Sequence, residues 1–310
     1  MRTGPAGVVA AVDWGGTWIR AALATGDGEL LRTVRRRRPA EVQAQCDLVC
    51  DLVAELGAGA GRPAVALGVG IAGITRRGYV ESASNIGIRR PFPLATRLQA
   101  GSGLHTVVVN DTQAAAIAET AVVRAGTSVL LTVGTGIGGA IVADGQLVTG
   151  GGAAGDYGHM VVAMDGPVCN CGGRGCLEQV ISGRTLNLVA AHLAESGASG
   201  WLARRAAEQG SVHAGDLELA AQAGDGAASH ALAEAAGALV AGLRSITAAT
   251  DPDVIVLGGG LLARGLLLTG LVQERWATQR PHWTKTELRL ASFGSEAGLR
   301  GAALLASRRI

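Results

Sequence analysis

The sequence predicts an α/β protein of two lobes, and three observations carry that prediction. Gly7 to Val12 is an apolar, β-branched run that ends at Asp13, passes through Gly15-Gly16-Thr17 and returns as a second apolar segment, Ile19 to Ala24. The same strand–glycine–strand unit recurs at Val129 to Val133, Gly134 to Gly139 and Ala140 to Ala143. Short buried-type strands then alternate with alanine-rich helical stretches, as where Thr106 to Val109 runs into Thr112 to Ala121. A chain of 310 residues can bury a sizeable core in two lobes. The repeat suggests two related halves closing over one phosphate chain. A dinucleotide fingerprint needs a helix straight after its glycines. Here a strand follows, which argues against a Rossmann dehydrogenase.

Composition narrows the function classes. Net charge is +2, which gives no polyanion signal, and Arg35-Arg36-Arg37-Arg38 reads as a solvated strand end, so no nucleic-acid partner is expected. Lys285 is the only lysine, which excludes a P-loop lysine and leaves backbone N–H groups, arginine or metal ions to grip a phosphate. Met1-Arg2-Thr3-Gly4-Pro5 runs directly into a short apolar strand, too short for a signal-peptide core. No later apolar run unbroken by glycine or charge reaches spanning length, so no membrane partner is expected. The thiols fit a reducing, cytoplasmic setting.

In the first glycine turn, paired glycines let the backbone approach a phosphate, Thr17 offers a hydroxyl, and Asp13 can hold a water on Mg²⁺. An ordinary glycine hairpin has the same pattern. Glu41 to Leu56 has helical spacing (Val42, Cys46, Val49, Val53, Leu56), with Cys46 and Cys50 as small core residues. Ala64 to Ile71 is a strand. Ser82 to Gly87 is a polar turn in which Asn85 is either a turn residue or an amide for a hydroxylated ligand. Asp111, at a strand end and helix start, lies where open α/β sheets bind ligands, and reads equally as a helix N-cap or a general base, with Thr112 an alternative cap. Thr135 and Gly136 lie in the second glycine turn. Ile181 to Ala194 and Gly215 to Ala248 are helical, the latter with Leu232, Ala236, Leu239, Leu243 and Ile246 on a core-type stripe. Val254 to Leu257 is a strand entering Gly258-Gly259-Gly260, where a flat base or ribose could lie on bare backbone. Ser295 to Ser307 closes the chain as a helix.

The stretch from Gly158 to Glu178 holds Cys169, Cys171 and Cys176 in a glycine-rich loop with too little apolar volume to order itself. His159 lies ten residues upstream of the first. Three thiolates and one imidazole complete a tetrahedral Zn²⁺ shell with no position left for water, which predicts a structural rather than hydrolytic metal. Asp156 and Glu178 flank it and would face the same small space.

Four motifs in order then carry a family resemblance: Asp13-Trp14-Gly15-Gly16-Thr17, Asn110-Asp111-Thr112-Gln113-Ala114-Ala115, Thr132 to Gly139, and the segment from Gly158-His159 to Glu178. The chain resembles the ROK family of sugar kinases and repressors over essentially its whole length. The resemblance implies an actin-like ATPase (ribonuclease H-like) fold with a cleft between lobes. The expected division is a small lobe of residues 1–112, completed by the C-terminal helix 296–310, and a large lobe of 113–295 with the zinc loop. It further implies ATP and Mg²⁺ in the cleft, a homodimer, and Asp111 as base. The sugar is then held by Asn85, Asn110, Asp111, Asp156, His159 and Glu178, and Gly258 to Gly260 flank the adenosine. His159 would give one ring nitrogen to zinc and the other to a sugar hydroxyl. Two positions depart from the family pattern: Asp156 replaces a glutamate, which touches sugar identity, and Trp18 replaces lysine or a small residue. Repressor members carry a winged-helix segment ahead of the first glycine loop, for which the seven residues before Val8 leave no room. The expected reaction is transfer of the γ-phosphoryl group of ATP to the 6-hydroxyl of a glucose-like hexose. The alternatives are an amino-sugar or N-acylhexosamine kinase, a cyclitol kinase, and a non-catalytic sugar sensor.

Overall fold

The structure is a computed structural model that describes residues 7–263 and 265–308; Met1 to Pro5 and the end of the 296–310 segment lie outside them. β1 (Val9–Trp14) pairs antiparallel with β2 (Trp18–Ala24), and β2 pairs antiparallel with β3 (Leu30–Arg37). β3 is an edge strand whose arginines point into solvent, and this charge keeps an open edge from pairing with other chains. Helix α1 (Val42–Ala60) ends on Gly61 in the left-handed region, and β4 (Ala66–Ile71) follows. A small hairpin, β5 (Ile74–Arg76) and β6 (Tyr79–Ser82), leads into a 3₁₀ turn at Ser84–Ile86 and then α2 (Leu94–Ser102). β7 (His105–Asn110) runs without a break into α3 (Asp111–Val123). The first sheet has the order β3-β2-β1-β4-β7, with β1, β4 and β7 parallel.

The second half repeats the scheme. β8 (Thr127–Val133), β9 (Ile137–Ala143) and β10 (Gln146–Val148) are followed by the cysteine-bearing loop. Helices α4 (Leu177–Val180), α5 (Gly183–Glu195), α6 (Gly200–Gln209), α7 (Ala214–Gln222) and α8 (Gly226–Thr250) come next. β11 (Val254–Gly258), α9 (Leu267–Gln279), β12 (Glu287–Leu290) and α10 (Ala297–Ser307) complete the chain. The second sheet runs β10-β9-β8-β11-β12, with β8, β11 and β12 parallel. The first two glycine turns are therefore each followed by a strand, as the sequence predicts.

Two compact units result. One comprises the chain as far as Gly126, the stretch Ala140–Gly155 and everything from Ser292 onward; the other comprises Thr127–Gly139 and Asp156–Ala291. Helix α3 belongs to the first unit because α10 packs on it, and the buried carboxylate of Glu119 in α3 accepts from the N–H groups of Ser292 (2.8 Å) and Phe293 (3.0 Å) on the approach to α10.

Alternation along β1 sends its side chains to two cores. Ala10, Val12 and Trp14 join α1 and α2 residues such as Val49, Leu52 and Leu98, whereas Val9 and Ala11 meet Leu299, Ala302, Ala303 and Ala306 of α10. The second core is almost all alanine, so α10 comes down onto backbone. A Cβ on Gly68 of β4 would fall inside the Ala302 carbonyl, and one on Gly301 would fall inside the Ala114 carbonyl of α3.

The helix expected over Gly215 to Ala248 is two helices. Gly224 takes φ 86°, and Asp225 caps α8 by accepting from Ala228 N–H (3.0 Å). Helix α8 is long and apolar enough to cross a membrane by length and composition alone. Its stripe residues Leu232, Ala236, Leu239, Leu243 and Ile246 are all buried within its own unit, the pattern of a core helix.

Ordinarily Gly→Ala in a helix stabilises by up to ~1 kcal/mol. Gly301→Ala is expected to reverse that sign and cost about 1–3 kcal/mol, because the new methyl meets backbone. Gly270→Ala in α9, where an added Cβ meets nothing within 4 Å, should keep the ordinary sign. Urea unfolding of the two variants checks the contrast.

Candidate active site

In the first unit the candidate groups gather at the carboxyl ends of the parallel strands, where open α/β sheets bind ligands. Asp13 stands next to the end of β1. Opposite it in the β1–β2 register stands Arg20, whose guanidinium forms an ion pair with the Asp13 carboxylate. The turn that follows is closed by Gly15 N–H donating to Trp18 O (3.0 Å), and Gly16 and Thr17 are exposed at its tip. A Cβ on Gly16 would stand 4.0 Å from that of Asn85, so the phosphate-type turn and the polar turn after β6 lie side by side.

Asp111 is the first residue of α3, and the structure separates its two sequence readings. The cap is Asn110: its Oδ1 accepts from the N–H groups of Thr112 (2.9 Å) and Gln113 (3.2 Å), while Gln113 Oε1 returns the bond to Asn110 N–H (3.2 Å). Asn110 Nδ2 donates to Gly73 O (3.0 Å), so this amide, expected on the sugar, is engaged by the protein at both ends. Asp111 keeps one local bond, from Thr112 N–H at 2.8 Å. Burial pushes its pKa above the usual carboxylate range, and the charge of Asp13 adds to the shift. A carboxylate with raised proton affinity beside a second acid is the environment of a general base.

In the second unit, Glu178 on α4 is fixed by accepting from Ile137 N–H (2.7 Å), and a Cβ on Gly136 would come within 2.5 Å of its Oε2. A side chain at 136 would therefore push the Glu178 carboxylate from its place. A cavity of about 540 Å³ brings Thr135 together with Gly260 and adds Arg184, Asn187 and His213. Asn187 Oδ1 accepts from Ala214 N–H (2.8 Å), leaving its amide nitrogen for a ligand. Gly258 is buried inside β11, and Gly259, at φ 89°, packs on Val133 backbone. Of the three glycines expected at the adenosine, Gly260 is among the residues lining this cavity.

His159 Nδ1 lies 3.6 Å from Cys169 Sγ, and Cys171 Sγ lies 3.6 Å from Cys176 Sγ; all four ligand atoms fall within 4.8 Å of one another. Zn–S bonds of ~2.3 Å give a tetrahedral edge of about 3.8 Å, so the four donors fit a closed zinc shell. Their protonation points the same way. The Cys171 backbone amide pulls Cys169 down to about 7, whereas burial and the neighbouring thiols push Cys176 up to about 12, a crowding of incipient thiolates that a cation relieves. The other ring nitrogen of His159, Nε2, lies 3.8 Å from Asp156 Oδ2. Partial burial raises the Asp156 pKa, His159 opposes it, and Glu178 adds to it. Asp156, His159 and Glu178 thus form one electrostatic cluster, as their flanking of the cysteines predicts.

Sequence reasoning missed Arg20, Arg38, Arg184, Asn187 and His213. Arg20 was within reach: a tight turn that pairs Trp14 with Ile19 must place residue 20 opposite Asp13. Arg38 was assigned to a solvated run, yet its guanidinium is bound to backbone carbonyls, whereas Arg35 stacks on Trp18 at 3.7 Å and Arg36 makes an exposed pair with Glu55.

The zinc fit generates a prediction. The purified protein should hold about one zinc per chain, and Cys176→Ser should lose it together with sugar binding, since Glu178 sits two residues from that ligand. Metal analysis and calorimetric titration with sugar check both halves; a zinc-free preparation with full sugar affinity would contradict them.

Comparison with known proteins agrees with this geometry. The N-acetylmannosamine kinase of Escherichia coli is 36% identical over 304 residues, covering 96% of this chain and 97% of that protein. The crystal structure of the ROK hexokinase from Thermus thermophilus superposes with a TM-score of 0.84 at 33% identity, covering 97% of this chain and 98% of the other. A ROK family glucokinase from Streptomyces griseus, in complex with glucose and AMPPNP, gives a TM-score of 0.81 at 32% identity, covering 97% and 100%. With the ROK family pattern matched over residues 9–309, the chain belongs to the ROK family and has its actin-like ATPase fold.

Proposed function

We propose that the protein is an ATP-dependent sugar kinase that phosphorylates the 6-hydroxyl of an amino- or N-acylhexosamine. The observation that carries the kinase reading is Asp111, a carboxylate of raised proton affinity released from capping by Asn110. In phosphoryl transfer the protein's work is positioning and charge stabilisation. Asp111 accepts the proton of the attacking hydroxyl. The exposed tip at Gly16 and Thr17 and the turn at Thr135-Gly136 grip phosphates. Asp13 would hold the hydration shell of a Mg²⁺ ion, which would supply charge neutralisation at the transferring group. The cavity at Thr135, Arg184, Asn187 and Gly260 takes the nucleoside. Asn85 and Glu178 bind sugar hydroxyls, and Asn110 shapes the site through its cap.

Two features favour an amino or acylamino substituent over a plain hydroxyl. Asp156, one methylene shorter than the family's glutamate, withdraws its carboxylate by about 1.5 Å and so favours a substituent that reaches further. If zinc takes Nδ1 of His159, Nε2 carries the proton. The Asp156 carboxylate, 3.8 Å from that nitrogen, is an acceptor for the N–H of an amino or acylamino group. The N-acetylmannosamine kinases among the relatives support the same class. Pairing as a homodimer completes the proposal, and light scattering giving twice the chain mass would support it.

Two predictions test these assignments. Asp111→Asn should lower turnover by roughly 10² or more with modest change in sugar affinity. The native rate should fall as the pH drops through a value above the ordinary aspartate range, because the base works ionised and burial raises its pKa; the variant should lose that limb. Near-native turnover in the variant would return Asp111 to a structural role. For specificity, kcat/KM is compared for N-acetylmannosamine, N-acetylglucosamine, 2-amino- and 3-amino-3-deoxyglucose, and glucose. An amino or acylamino sugar should win by roughly tenfold or more, and Asp156→Glu should shift the ratio toward glucose. Preference for glucose with a ratio unmoved by Asp156→Glu would make the protein a glucose kinase.

A further inference from the structure

One side chain holds together two turns that the proposed reaction uses for different substrates. Arg38 Nε donates to Gly16 O (2.7 Å), Nη2 to Asn85 O (3.1 Å), and Nη1 to Ile86 O (3.3 Å) and Pro39 O (3.1 Å). Its own backbone N–H donates to Thr17 O at 2.9 Å. Behind it Gln45, fully buried, donates to Ile86 O (3.2 Å) and Ala40 O (3.1 Å) and accepts from Trp14 Nε1 (2.9 Å). The network therefore runs from the residue after Asp13, through Gln45 and the 3₁₀ turn, to the fork of Arg38 and back to the first glycine turn. Glycine turns and 3₁₀ turns have little hydrogen bonding of their own to set their position, so an outside tie fixes it. The gap between these two turns is about one methyl group wide at Gly16 and Asn85.

We propose that Arg38 is a positioning residue that locks the phosphate-gripping turn Gly15 to Thr17 to the sugar-binding turn at Asn85, so that the donor and acceptor grips are set by one guanidinium. This rests on the kinase reading above. The planar fork is essential: its N–H groups reach carbonyls on three separate segments, which the point charge of a lysine ammonium cannot do. The neighbouring arginines do not share the task, since Arg35 lies on Trp18 and Arg36 on exposed Glu55.

The test uses Arg38→Met and Arg38→Lys in the full chain, with Arg36→Ala as control. Hydrogen–deuterium exchange of the substrate-free protein comes first. In both Arg38 variants, peptides covering residues 14–18 and 84–88 should lose protection together by roughly fivefold or more, while α1 and the control stay unchanged. Exchange that changes only around residues 36–40 would overturn the proposal. Steady-state kinetics come second. KM for ATP and for the sugar should both rise by roughly tenfold, more than kcat falls, with the melting temperature near native. A change in one KM alone, unchanged kinetics, or full rescue by Arg38→Lys would each overturn it. Failure of the native chain to phosphorylate any sugar would sink the kinase reading, while the exchange result would still decide whether Arg38 ties the two turns.

Discussion

Parallel pairing of β1, β4 and β7 forces the carboxyl ends of three strands to one edge of the first sheet, and Asp13, Asn110 and Asp111 take their places from that edge. Asp13 stands next to the end of the first strand, Gly73 lies just past the second, Asn110 ends the third, and Asp111 begins the helix that follows it. The edge is usable only because the middle strand gives up side chains. A Cβ on Gly70 would come 3.1 Å from that of Ala114 and 3.4 Å from Asp111 Cα, so glycine there lets the first turn of α3 lie across the strand ends. Gly68 does the same for α10 on the next residue pair. The alanine-rich C-terminal helix is thus part of how the site is built, since it and α3 share the face that β4 leaves bare.

The second unit reaches a comparable edge by different means. β8 and β11 pair in parallel with Gly258 opposite Thr132, so two glycine turns emerge side by side. The segment from His159 to Glu178 adds the acidic groups but has no core of its own, and Val161, Met164 and Val168 are exposed. Its order comes from tight backbone turns, such as Cys169 N–H to Gly173 O at 2.8 Å, and from the convergence of four ligand side chains. A structural metal held by these four side chains would replace apolar burial as the source of order. Glu178 then transfers that order to the glycine turn through Ile137 N–H.

What could be read from the sequence was what depends on short-range pattern. Strand–glycine–strand units, the α1 stripe and the cysteine spacing all involve residues close in the chain, and each appears where its pattern places it. The limits lay where one residue type serves two roles. Asn110, Asp111 and Thr112 can all cap a helix, and only backbone geometry assigns the cap to Asn110 and frees Asp111. In Arg35 to Arg38, four identical residues hide a partner set that depends on segments 22 and 47 positions away. The α7–α8 break escaped because alanine is helical on both sides and the signal is a single Gly224-Asp225 pair. Short β5 and β6 escaped because three or four residues are too few to show a period.

The charge balance at Asp13 and Asp111 explains why a chain with one lysine can still run this chemistry. Burial raises the proton affinity of Asp111, and the charge of nearby Asp13 adds to it. Arg20, held opposite Asp13 by strand register, pairs with its carboxylate. A guanidinium suits the place better than an ammonium because it stays charged at every relevant pH and its fork can keep one N–H pair on Asp13 while offering others to an anion. The β1–β2 hairpin, through Asp13, therefore adds to a shift that burial dominates, and it is the same element whose turn is proposed to grip phosphate.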